Sequence, residues 1–185
     1  MVIREKVVGH REFNKGTIDI TDPCYDKETW CRLNNVPVKK GGYRLSVWMG
    51  NALGEDDIAN LRETIQSVCK RELTQKDIDE ELCDIKSRVF CIEIKLKGRK
   101  FALNSSKWKE IGSIGVDAGL AGFFPDKPDF DDSEWHIFCE KIFANKHNWY
   151  NDQYGFYCQS GYGDGGYAVS GIKEGEEYIA LKICF

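Results

Sequence analysis

GTIDITDPCY, residues 16–25, and GSIGVDAGLAGF, residues 112–123, decide how this chain is to be read. Each opens on Gly, alternates apolar and polar residues as a half-buried strand does, and reaches an Asp, Asp22 or Asp117. Each is followed by a Trp, Trp30 or Trp135, and then by Gly-Gly-Tyr opening a further alternating run: KGGYRLSV at 40–47 and DGGYAVSG at 164–171. This recurrence predicts an α+β, mainly antiparallel β fold built from two pseudo-repeated halves, 1–103 and 104–185, within a single domain spanning 1–185. A chain of 185 residues is long enough to bury one core.

Around this frame, residues 2–8 alternate as an edge strand. Asp26 is placed to cap a short helix carrying Trp30 and Leu33. RVFCIEIKLK, residues 88–97, is a long strand with Phe90, Ile92, Ile94 and Leu96 on one face. The strand over 178–185 likewise aligns Ile179, Leu181, Ile183 and Phe185. Ile58, Leu61, Ile65 and Val68 follow helical spacing, and Thr74 with Asp77 resembles a capping signal before Ile78, Leu82 and Ile85. Residues 55–86 therefore predict a helical insertion in the first half. A further helix carries Trp135, Phe138, Cys139, Ile142 and Phe143 on one stripe, capped by Asp132 or Ser133. SGYGDGGY, residues 160–167, reads as a hairpin, because Asp-Gly suits a turn with positive φ at both central positions.

The formal net charge of −4 argues against direct nucleic-acid binding. No run approaches the apolar length of a membrane helix. Eight cysteines lie within apolar strand and helix patterns, and MVIREKVVGH is charged and alternating rather than leader-like. Together these predict reduced, buried thiols and a cytoplasmic protein.

Chemistry is sparse. His10, His136 and His147 fall in no metal-ligand spacing, and there is no CxxC or nucleophile-elbow motif. No catalytic set, metal site or cofactor follows. Cys24, beside Tyr25 and close to Asp22, is the one candidate nucleophile, and it needs a histidine brought in by the fold. Asp22, Asp117 and Asp164 stand at strand ends, where carboxylates either fix turns or gather around a divalent cation. With Tyr43, Gly165 and Tyr167 they form the candidate ligand-binding set, and a two-fold arrangement would place a pocket between Tyr43 and Tyr167. Acidic tracts supply Glu55, Asp56, Asp57, Asp129, Asp131 and Asp132 as candidate partner-binding residues.

ITDPCY, GVDAGLAGFF and SGYGDGGYAV followed by a terminal strand resemble the small bacterial and phage conserved hypothetical proteins of the domain-of-unknown-function family 4241. The resemblance covers the early Asp-Pro turn and most of residues 112–185, and leaves out 55–86. It implies an order of elements and transfers no catalytic residue. The phage context of that family implies an inhibitor of a host defence system.

The functional expectation is therefore a non-enzymatic binding protein, acting by protein–protein contact through acidic surfaces, for instance on a CRISPR-type nuclease or other nucleic-acid-processing host protein. The alternatives are a small-ligand or nucleotide-binding module at the Gly-rich segment, and a metal-dependent hydrolase using Asp22, Asp117 and Asp164.

Overall fold

A computed structural model describes residues 4–50, 88–127, 129–144 and 148–185, together with Glu63, Thr74 and Lys76. The helical insertion expected over 55–86, with Glu55, Asp56 and Asp57, lies outside the described residues apart from those isolated positions.

The described chain runs β1 (Arg4–Phe13), β2 (Thr17–Thr21), β3 (Leu33–Pro37), β4 (Gly41–Met49), β5 (Val89–Leu96), β6 (Lys109–Val116) and β7 (Leu120–Phe124). It continues with α1 (Asp132–Phe143), β8 (Trp149–Asn151), β9 (Phe156–Gln159), β10 (Gly165–Glu174) and β11 (Glu177–Cys184). Six strands form one sheet in the order β1-β4-β5-β11-β10-β6, and five form a second in the order β3-β2-β7-β9-β8. All the strand pairings within these sheets are antiparallel.

Alternation explains the layering. In β7, Ala121 and Phe123 point into a core shared with the six-stranded sheet, where they join Ile20, Leu45, Ile94, Ile114, Val169 and Leu181. Leu120 and Phe124 point the other way, into a second cluster under α1 with Phe138, Ile142, Tyr150 and Tyr157. Tyr157 anchors that second layer. Its ring stacks on Tyr150 at 5.0 Å and on Phe124 at 5.6 Å, and Phe138 covers it at 5.5 Å. Gly122 lies opposite Tyr157, and a Cβ there would fall 2.3 Å from the Tyr157 Cβ. Glycine at 122 is thus a packing requirement. Outside the six-stranded sheet, Phe101 and Trp108 pack against Ile172, Ile179 and Ala180.

Four sequence expectations are corrected. No helix forms around Trp30; the segment turns, and Leu33 begins β3. The SGYGDGGY stretch is not a hairpin. It carries the chain from β9 in the five-stranded sheet to β10 in the six-stranded one, and the two strands do not pair. Parity also breaks in two strands. The register skips Phe90 in β5 and Ile179 in β11, so Val89 enters the shared core and Ile179 joins the outer layer. Finally, α1 is capped by Asp131, one residue before the expected cap. Its side chain accepts from Glu134 N while Glu134 accepts from Asp131 N, forming a capping box.

The two Gly-led stretches also occupy different places. GTIDIT lies in the five-stranded sheet as β2, whereas GSIGV lies in the six-stranded sheet within β6.

Candidate functional site

Three chain passages meet at one end of the sandwich: the turn after β2, the turn joining β6 to β7, and the crossover from β9 to β10. Asp22 holds the first two together. Its side chain is fully buried; Oδ1 accepts from Cys24 N at 2.9 Å, and Oδ2 accepts from Asp117 N at 2.8 Å and Ala118 N at 2.7 Å. Burial raises the Asp22 pKa, and the three backbone donors pull it back. Asp164 holds the third passage, accepting from Gly119 N at 3.1 Å, while Ser160 N donates to Gly119 O at 2.8 Å. Gly119 and Gly163 both have left-handed φ, +65° and +83°, which the two tight reversals require.

The segment carrying Trp30 is tied to the same end. Gly115 N donates to Cys31 O at 2.8 Å. The buried Arg32 guanidinium donates to Tyr25 O and pairs with Asp19 at 2.9 Å. Trp30 itself stands out at 92% exposure, and Tyr162 on the crossover is 42% exposed. Trp and Tyr are among the residue types enriched where binding energy concentrates.

Beside this hub lies a cleft of about 290 Å³. Ala118, Gly119, Leu120, Gln159 and Ser160 form its frame side, and Trp135, Cys139 and Ile142 of α1 form the other wall. The wall arises because Trp135, Cys139 and Ile142 fall on adjoining turns of the helix, to one side of Phe138, which covers Tyr157. Burial pushes the Cys139 thiol up, with Asp22 adding to the effect. Burial and Asp22 likewise hold Cys24 far above an ordinary thiol. Both sulfurs are therefore kept protonated, the opposite of what a nucleophile needs. Of the two histidines considered as partners for Cys24, His10 is on edge strand β1, and His136 on α1 lies 3.3 Å from Glu140.

Of the candidate ligand residues, the fold brings Asp22, Asp117, Asp164 and Gly165 to this end. Asp117 takes part through its backbone N–H, and its side chain is exposed. The Asp22 oxygens are taken up by three N–H donors, and among the described residues no group of three or more His, Cys, Asp or Glu is arranged to hold a metal ion. Tyr43 lies elsewhere. It is fully buried on β4, donating to Lys39 O and Tyr178 O, whereas Tyr167 on β10 packs edge-on against Phe185 at 5.1 Å. Two strands, β5 and β11, separate β4 from β10, so no pocket forms between the two tyrosines.

The acidic loop is less free than its composition implies. Asp126 pairs with Lys15 at 2.6 Å, Asp129 lies 4.0 Å from the buried Lys127, and Asp131 is consumed as the helix cap. Asp132 stays exposed in the first turn of α1.

No helix among the described residues is long and apolar enough to cross a membrane. No family model, curated protein or solved structure matches this chain.

Asp22, Asp117 and Asp164 stand out in the sequence, whereas the cleft beside them does not. Trp135, Cys139 and Ile142 were legible as a helical stripe, but nothing in the spacing told which of them would line an opening. Gln159 and Ser160 carried no signal beyond their place beside the Gly-rich stretch.

Proposed function

We propose that this protein is a non-enzymatic binding protein that engages another protein through the sandwich end bearing Trp30, Tyr162 and the Trp135 cleft. The observation that carries the reading is Trp30, almost wholly exposed on a segment anchored at 115 and 117–118. Tryptophan and tyrosine are the residue types that dominate binding energy at interfaces. The chemistry around them points the same way, since the Asp22 and Asp164 carboxylates accept from backbone donors and the Cys24 and Cys139 thiols are held neutral.

We read the chain as two related halves. The first half contributes β1-β4-β5 and β3-β2, and the second contributes β6-β10-β11 and β7-β9, so the sheet orders mirror each other about β5/β11 and β2/β7. Local bonds match as well. Val38 N donates to Gly16 O as Ser160 N donates to Gly119 O, and Tyr43 and Tyr167 each donate to the carbonyl four residues earlier. On this reading α1 and β8 are additions to the second half, and the cleft forms where α1 meets the shared frame.

A narrower form of the proposal, an inhibitor of a nucleic-acid-processing host protein, rests on the resemblance to family 4241 and on the net charge of −4. Its signature is affinity that falls steeply with salt. The test is capture from host lysate with N-terminally tagged wild type and Trp30→Ala at low and moderate salt. The proposal expects a partner held by wild type and lost with Trp30→Ala. Equal capture by both would place recognition elsewhere.

A further inference from the structure

We propose that Cys91 and Cys184 form a reversible cross-strand disulfide, an oxidation site that joins β5 to β11. The two are direct register partners, and their sulfurs lie 3.3 Å apart. Phe185 N donates to Phe90 O, so the adjoining pair 91/184 is a non-hydrogen-bonded pair. Opposed Cα atoms in such a pair lie about 4.5 Å apart. That spacing is inside the roughly 4.4–6.8 Å span that a disulfide bridges. Closing the S–S bond needs side-chain rotation rather than movement of either strand.

The two thiols are unequal, and this assigns their roles. Cys91 is wholly buried and Cys184 is partly accessible. A thiolate at Cys184 accepts from the Cys91 S–H and lies near the Lys182 ammonium, and these lower its pKa against the opposing effects of burial and Glu93. Burial drives Cys91 the other way. Peroxide therefore meets Cys184 first. The Cys184 thiolate attacks one peroxide oxygen, the O–O bond breaks, and hydroxide leaves to be protonated, giving a sulfenic acid. The Cys91 sulfur then attacks the Cys184 sulfur and expels water. Two thiols and one hydrogen peroxide become one disulfide and two waters, and a dithiol reductant reverses the change. Cys24 and Cys139, whose thiols are pushed up, and the fully buried Cys158 are poorer targets for the same oxidant.

The experiment treats the full chain, freed of reductant, with graded hydrogen peroxide. Remaining thiols are alkylated and the digest is mapped by mass spectrometry without reduction. The expected product is a peptide pair linked through Cys91 and Cys184, two hydrogens lighter than the separate peptides, and released by dithiothreitol. In Cys91→Ala, dimedone should instead trap a sulfenic acid at Cys184. Cys184 remaining a free thiol while other cysteines oxidise, pairing with another cysteine, or passing to sulfinic acid with Cys91 untouched would each overturn the proposal.

Discussion

The Asp22 carboxylate receives the backbone N–H of Asp117 at 2.8 Å, although 95 residues separate them. This bond and its neighbour from Ala118 clamp the β6–β7 turn to the end of β2 and set the frame beside which the cleft opens.

Asp22→Asn tests that clamp. An amide has a single acceptor oxygen, so its NH₂ must confront either Cys24 N or the Asp117 and Ala118 donors. Leaving buried donors unmatched costs about 1–3 kcal/mol. Urea unfolding should show that loss with an unchanged slope, and a wild-type midpoint would show the clamp to be dispensable.

Gly122→Ala should be destabilising by about 1–3 kcal/mol, because overpacking at a fixed backbone forces neighbours apart. The new Cβ would meet Tyr157 and the Phe156 carbonyl at 2.3 and 2.5 Å. Gly166→Ala, where nothing lies within 4 Å, is the matched control and should melt near wild type.

How much of this was legible beforehand depends on what each residue pattern encodes. Alternation marked β4, β5, β6, β7 and β11, and the stripe through Phe138 and Ile142 marked α1, because burial imposes those periods directly. Alternation is silent about bulges, so Phe90 and Ile179 were placed on the wrong faces. Asp164-Gly165 suits a turn with positive φ at both positions, yet Asp164 keeps an ordinary negative φ and only the glycines, Gly165 at +157° and Gly163 at +83°, are positive. A Gly-rich stretch serves a hairpin and a sheet-to-sheet crossover alike, and only long-range pairing separates them. Trp30 was drawn into a helix by a capping residue, when the segment's geometry is set by contacts with Gly115 and Asp19.

Glu93 predicts a pH dependence. It is fully buried, and desolvation raises its pKa above 4.5 despite Lys95 Nζ at 2.5 Å. Below that value the carboxyl is protonated whether folded or unfolded. As pH rises, the unfolded chain ionises first, so stability falls until the folded-state pKa is passed. Glu93→Gln should flatten the decline in melting temperature as pH rises above about 4.5. Parallel profiles for the two proteins would remove Glu93 as its source.

Asp131 and Asp132 separate structure from surface. Asp131→Ala removes the helix cap and should cost about 1 kcal/mol, whereas Asp132→Ala should stay within about 0.5 kcal/mol. Thermal melts of the two variants decide this, and equal losses would contradict the capping box.

The most direct test of the account is paired measurement of melting and partner capture for Trp30→Ala. Because Trp30 is 92% exposed, the variant should melt with wild type and lose the captured partner. A variant that melts lower yet holds its partner as wild type does would make Trp30 structural and contradict the assignment of this end as the recognition surface.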